Sequence, residues 1–138
     1  MFHPWRTLRT MTHVVVIWAR PHPAVPAATD GVSIIWLDPR MTQDERRTAL
    51  THELLHLTHG HQGCQPAAVE RRVRDAAARA LISHEALATA LPWAMSLEEL
   101  ADDLWVTPLV LRDRLAGLTA TERADLAARL PEHHEDGV

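Results

Sequence analysis

Two histidines and a glutamate form the pattern His-Glu-x-x-His at residues 52–56. Positions i and i+4 of an α-helix lie on the same face, so His52 and His56 can direct two imidazoles at one metal ion. Glu53 lies beside them and can take a proton from a water that the metal activates. Two imidazoles with a neighbouring carboxylate are typical of hydrolytic zinc sites. The pattern therefore predicts a Zn²⁺ centre with Glu53 as its catalytic base.

The surrounding residues predict that this pattern lies on a helix of about 43–58. Thr42 and Glu45 have the spacing of a capping box, and Gly60 is a typical terminator just beyond the last turn. Three leucines recur with helical spacing on one side of this helix, and the two histidines fall on the other side. Solvated histidines on a polar helix face are the alternative, since the chain contains 10 histidines. The capped, amphipathic context favours the metal site.

A catalytic zinc typically has three protein ligands, so a third ligand must come from outside the pattern. Glu70 is the first candidate because it opens a long alanine- and arginine-rich helical segment. An acid in a first helical turn also stabilises the helix dipole, which is the alternative explanation for Glu70. His59 and His61 are further candidates, although they lie at or past the end of the helix predicted at 43–58, the predicted metal helix. Asp75 is a weaker one because its short side chain would come from deeper in the fold.

The residue that would stabilise a developing oxyanion is not apparent from the pattern. Many zinc peptidases use a tyrosine or a histidine there, and this chain contains no tyrosine. One of His59, His61 and His84, or an arginine, would therefore have to serve.

The composition indicates one compact domain. A length of 138 residues is enough for one core but not for two independent ones. The net charge of −4 argues against a binder of nucleic acid or membrane surfaces that works by bulk electrostatics. The single cysteine, Cys64, excludes an intramolecular disulfide and is only a weak candidate for a metal ligand.

No stretch of the sequence is long and apolar enough to cross a bilayer. The apolar run at 14–19 resembles the core of a signal peptide, but it is short, and Arg20 and Pro21 interrupt it. We therefore interpret residues 13–19 as a buried strand and expect a cytoplasmic protein without a membrane partner.

The order of elements predicts an α+β fold. Residues 13–19 and 32–37 are expected to pair as an antiparallel β-hairpin that packs on the metal helix, joined by a proline-rich loop. The second strand directly precedes the metal helix and could bind an extended substrate by edge pairing, or it could serve only as a structural floor. Further helices are predicted at about 67–82, 84–91, 97–104, 108–116 and 120–130.

The helices at 97–104 and 108–116 resemble a helix-turn-helix. The first carries four acids, which would face DNA phosphates unfavourably, and Arg112 and Arg114 are the only bases on the second. We therefore favour a packing or protein-docking pair over DNA binding. The predicted organisation is a single domain with a core at 12–92, a helical pair within 96–130 and a flexible tail at 131–138.

Together these features resemble an ImmA/IrrE-type metallopeptidase domain, and the resemblance covers roughly residues 13–117. The segments that carry it are Ile35-Trp36-Leu37-Asp38-Pro39, His52-Glu53-Leu54-Leu55-His56-Leu57, the alanine-rich helix ending Ala80-Leu81-Ile82, and Glu99-Leu100-Ala101 to Arg114-Leu115. The resemblance implies a small zincin-like fold. It also implies that His52, His56 and Glu70 bind Zn²⁺ and that Glu53 is the base.

The sequence departs from that family's usual pattern in two places. Leu55 stands where the family often has glycine, and Glu70 lies about one turn earlier than the family's downstream ligand. The family is typical of phages and mobile elements, where its best-understood role is cleavage or inactivation of a helix-turn-helix repressor. We therefore expect a zinc endopeptidase with a protein substrate in a bacterial host cell. A non-catalytic, zinc-stabilised adaptor that binds a repressor or another protein is the main alternative, and a DNA-binding regulator is a less favoured one.

Overall fold

The structure is a computed structural model, and it describes residues 2–63 and 65–131. In this part of the chain, seven α-helices and a three-stranded mixed sheet form an α+β fold, so the predicted fold class is confirmed at that level. Cys64 and residues 132–138 of the predicted flexible tail lie outside the described residues. None of the helices described is long and apolar enough to cross a membrane.

The helices from the one predicted at 43–58 onward agree with their predicted bounds to within one residue. An N-terminal helix and a short middle strand were not predicted. The elements in chain order are α1 (Pro4–Thr10), β1 (Val15–Trp18), β2 (Ala27–Thr29), β3 (Ile34–Leu37), α2 (Gln43–Thr58), α3 (Ala67–Leu81), α4 (His84–Ala90), a 3₁₀ turn (Leu91–Trp93), α5 (Leu97–Asp103), α6 (Pro108–Ala116) and α7 (Ala120–Arg129).

The predicted antiparallel hairpin of residues 13–19 and 32–37 is wrong. β1 runs parallel to β3, with Val16 opposite Ile35, and β2 pairs antiparallel with the other side of β3. The tight turn between β2 and β3 explains this pairing, because the Asp30 carboxylate accepts three backbone N–H groups in it. The proline-rich segment before that turn supplies the long connection that two parallel strands require.

The central position of β3 has a consequence for substrate binding. A strand binds an extended peptide through unpaired backbone groups at an edge of the sheet. β3 has no free edge, because β1 and β2 occupy both of its sides. Of the two roles considered for residues 32–37, edge pairing is therefore wrong. β2 is the edge strand next to β3 on the side away from β1.

Two apolar clusters fill the interior. The first packs the sheet against the leucine face of α2 and includes Ile35, Leu37 and Leu50, with Trp5 and Leu8 of α1 against it. The second joins helices α3 to α7. Helix α3 lies between the clusters and packs against both α2 and α6. Helix α2 is thus fixed from three directions, by the sheet, by α1 and by α3.

The α5–α6 pair packs into the protein. Val110 and Leu111 of α6 are buried, and Arg114 is only 2% exposed. The Arg114 guanidinium donates to the Ile82 carbonyl (2.8 Å) and to the Glu122 carboxylate (2.8 Å). Arg112 is therefore the only exposed base on α6.

Candidate metal centre

Helix α2 positions three of the predicted site residues. Its first turn is held by the predicted capping box. The Glu45 N–H donates to the Thr42 hydroxyl (3.3 Å), and the Thr42 N–H donates to the Glu45 carboxylate (2.8 Å). The apolar face of α2 is buried against the sheet, so the polar face that carries His52 and His56 is directed at α3.

His52, His56 and Glu70 converge at one point. Their candidate ligand atoms all lie within 4.8 Å of one another. The two Nε2 atoms are 3.1 Å apart, and Oε2 of Glu70 lies 3.2 Å from Nε2 of His52 and 3.3 Å from Nε2 of His56. Tetrahedral zinc with bonds of about 2.0–2.1 Å needs ligand atoms roughly 3.3 Å apart. The spacing and the donor set of two nitrogens and one oxygen therefore fit a zinc ion.

The other candidates for the third ligand lie elsewhere. His59 is exposed, and its Nδ1 bonds the Leu55 carbonyl (2.7 Å). The Nδ1 of His61 bonds the Nδ1 of His56, on the side of the ring away from the triad (3.0 Å). Asp75 pairs with Arg79 one turn along α3 (3.3 Å). Glu70 reaches the histidines from the first turn of α3, despite its early register.

Glu53 is buried beside the triad, and its side chain lines the cleft. The residue is 8% exposed, and no hydrogen bond to its carboxylate is present among residues 2–63 and 65–131. Burial raises the pKa of Glu53 to about 7, and the negative charge of Glu70 adds to the effect. A carboxyl group with a pKa near neutrality can both accept and release a proton.

Burial also acts on His52. It lowers the pKa of His52, and the neighbouring His56 adds to the effect. The neutral imidazole is thereby favoured, and this is the form that binds metal ions.

An open cleft lies on both sides of Glu53. One cavity of about 730 Å³ is lined by the triad, by Glu53 and by all three residues of β2. A second cavity of about 780 Å³ extends in another direction, with Leu109 of α6 and Met41 in its wall. Both cavities share Ala27, His52 and Glu53. A long ligand could therefore pass across Glu53 rather than end there.

The loop that precedes β2 contributes site residues that the sequence interpretation missed. His22 lines the same cavity as the triad, and its Nδ1 accepts the Ala24 N–H (3.1 Å). Arg20 ties this loop to Asp38 (2.7 Å), and Arg40 pairs with the same carboxylate (3.0 Å). Hydrogen bonds, first from Arg40 and then from Arg20, hold the pKa of Asp38 well below its usual range. The prolines of this loop predicted only an irregular segment.

The three histidines considered for an oxyanion role lie in two regions of the molecule, since the His59 and His61 rings stack on each other and His84 lies apart from them. His84 lies in the C-terminal helical region, where it bonds the Asp125 carboxylate (2.6 Å). His61 lines the cavity that holds the triad, whereas His59 borders a separate cavity. Of the three, His61 alone shares a cavity with the triad.

The three converging candidate ligands, the buried Glu53 and the cleft are properties of this chain's own residues. Comparison with protein-family models, with curated proteins and with solved structures gives no significant match. The resemblance to ImmA/IrrE-type domains therefore stays a prediction, drawn from the motif and the order of the elements.

Proposed function

We propose that this protein is a zinc-dependent endopeptidase of the zincin type that acts on a protein substrate. One observation carries the proposal: His52, His56 and Glu70 converge beside a buried Glu53 in an open cleft. Two imidazoles and one carboxylate form a ligand set used by catalytic zinc in peptidases, and three protein ligands leave a coordination position open. When bound, zinc would acidify a water and polarise the carbonyl of the substrate.

Glu53 is the general base in this proposal. It takes one proton from the water that adds to the peptide carbonyl, and it returns a proton to the amine as the C–N bond breaks. The pKa of about 7 suits both steps, because the ionised and the protonated forms of Glu53 are both well populated near neutral pH. Burial of Glu53 keeps this proton exchange away from bulk water.

The form of the cleft supports an extended peptide as substrate. The two cavities continue on either side of Glu53, which favours an internal peptide bond over a terminal one. The β2 strand borders the cleft as an edge strand, so its unpaired backbone groups could bind an extended segment. A helix-turn-helix repressor in a bacterial cytoplasm is the substrate that the family resemblance suggests.

The test combines zinc content with cleavage. The purified protein should bind about one Zn²⁺ per chain. With a labelled, unfolded protein as substrate, Glu53→Gln should retain zinc and lower the cleavage rate about 10²–10⁴-fold. Glu98→Gln is the matched control, because Glu98 is exposed on α5 and outside the site. Wild-type cleavage by Glu53→Gln would contradict the proposal.

The alternatives give different results in the same experiments. A zinc-stabilised adaptor would bind a repressor or another partner without cutting it, and Glu53→Gln would bind that partner equally well. A DNA-binding regulator would retard duplex DNA in a salt-dependent manner, and Arg112→Ala would weaken this binding.

A further inference from the structure

The two ring nitrogens of His56 have different neighbours. Nε2 faces the triad, 3.1 Å from Nε2 of His52 and 3.2 Å from Glu70. Nδ1 lies 3.0 Å from Nδ1 of His61, on the other side of the ring. A histidine that binds metal through one nitrogen generally donates a hydrogen bond from the other, and this bond sets its tautomer and ring orientation. His61 occupies the place of that acceptor.

The end of α2 places His61 there. Gly60 has a φ of +68°, the left-handed conformation typical of a helix terminator. The His61 N–H then donates to the His56 carbonyl (2.9 Å), and the Gly60 N–H donates to the Leu57 carbonyl (3.0 Å). These two bonds form a Schellman motif. The chain thus folds back on the turn that carries His56, which brings the His61 ring against the His56 ring.

A second contact holds the same segment from the sheet side. Gly31, in the turn between β2 and β3, has a φ of +77° and lies against the backbone of His61. A Cβ at Gly31 would overlap the His61 carbonyl oxygen. The His59 ring stacks on His61 with centroids 5.4 Å apart. His61 is therefore held in place by contacts that do not depend on a metal ion.

We propose that His61 is a positioning residue that fixes the tautomer of His56. The Nδ1–H of His56 donates to the unprotonated Nδ1 of His61, and the lone pair of His56 Nε2 is left free for the metal. Without this acceptor, His56 can carry its proton on Nε2 and block the ligand atom. This inference rests on the proposed zinc centre, but the hydrogen bond itself is a property of the metal-free protein.

The first experiment reads the tautomer of His56 directly. Imidazole ¹⁵N chemical shifts in the metal-free protein should show His56 protonated at Nδ1. In His61→Phe, which keeps a ring but removes the acceptor, the Nε2–H form of His56 should appear. His56 protonated at Nε2 in the wild-type protein would overturn the proposal, even if the phenylalanine variant failed to fold.

The second experiment measures zinc affinity by competition with a chelator. Loss of such a partner typically weakens metal binding about 10–100-fold, and this decrease is expected for His61→Phe. His61→Gln should restore most of the affinity, because its amide oxygen can accept the His56 proton. His13→Phe is the control, because it makes the same histidine-to-phenylalanine change at an exposed position outside the candidate metal centre.

The outcomes separate this inference from the proposed function. Wild-type zinc affinity and an unchanged His56 tautomer in His61→Phe would overturn the role of His61 and leave the zinc centre intact. Equal losses in the Gln and Phe variants would also overturn it, since shape rather than the acceptor would then matter. Failure of every variant and of the wild type to bind zinc would overturn the proposed function, and the ¹⁵N shifts would still decide the role of His61.

Discussion

The candidate metal centre on α2 and the ion-pair cluster between α6 and α7 shift the pKa of a glutamate in opposite directions. Glu122 accepts hydrogen bonds from Arg114 (2.8 Å), from Arg79 (3.2 Å) and from the Thr119 N–H (2.9 Å). These bonds, that of Arg114 foremost, lower the pKa of Glu122 to about 2. Glu53 is buried without a comparable partner in the described part of the chain, and its pKa rises to about 7.

The ion-pair cluster around Glu122 stabilises the folded protein, whereas the ionised Glu53 in the candidate metal centre destabilises it. A carboxylate held by two guanidinium groups favours the folded state, because its charge is better compensated there than in water. A carboxylate buried without compensation disfavours the folded state whenever it is ionised. Perturbations of the second kind are concentrated at functional sites, where a reactive protonation state outweighs the loss of stability.

The largest expected effect comes from removing the buried cation of the ion-pair cluster. Arg114→Ala would leave Glu122 without its closest partner and the Ile82 carbonyl without its guanidinium donor. Loss of one partner of a buried pair typically lowers the free energy of unfolding by about 3–5 kcal/mol. Chemical denaturation measures this decrease. Arg112→Ala, at an exposed position, is the control and should lower the free energy of unfolding by about 0.5 kcal/mol or less. A loss equal to that of the control would mean that the pair does not stabilise the fold.

The second prediction concerns the pH dependence of stability in the metal-free protein. The pKa of Glu53 rises from 4.5 to about 7 on folding, so its effect on stability is absent below pH 4.5 and unfavourable above it. Stability is lost as the pH rises from 4.5 to about 7. Glu53→Gln should avoid this loss and be more stable than wild type by about 3 kcal/mol at pH 8. Chemical denaturation of both proteins at pH 4.5 and at pH 8, with a chelator present to remove metal ions, measures the difference in stability.

Glu122 should give the opposite trend. Its pKa falls from 4.5 to about 2 on folding, so it stabilises the protein above pH 4.5, and this contribution is lost as the pH falls towards 2. Glu122→Gln should therefore be less stable than wild type at neutral pH, and the difference should shrink on acidification. Parallel pH profiles for the Glu53 and Glu122 variants would refute the contrast between the two regions.

The smallest expected effect compares two equivalent helix caps. Thr42 and Thr119 each form a capping box, the first on α2 and the second on α7. Either threonine-to-alanine change should cost about 0.5–2 kcal/mol of stability. Zinc affinity should fall only for Thr42→Ala, because α2 carries His52 and His56. Equal effects of the two changes on zinc binding would show that the regions are coupled more closely than their separate cores suggest.

Local features of the chain predicted most of the helices and part of the site. Capping residues and the apolar repeat act over three or four residues, so they can be recognised in the sequence without a tertiary structure. This is why the bounds of α2 and the shared face of His52 and His56 follow from spacing alone. The short strand β2 could not be predicted, because its three residues, Ala27–Thr29, carry no β-forming pattern beyond Thr29.

The sequence by itself determined the capped helix α2 and the shared helical face of His52 and His56, with Glu53 beside them. Caps and helical faces depend only on contacts within a few turns, so they can be recognised in the sequence. Only the tertiary structure decided that β1 joins β3 in parallel, because strand pairing depends on a long connection whose path no local pattern encodes. It likewise decided that Glu70 reaches the histidines while His61 lies behind His56. The tertiary structure also raises the pKa of Glu53, because the burial of this residue depends on elements that are far apart in the chain.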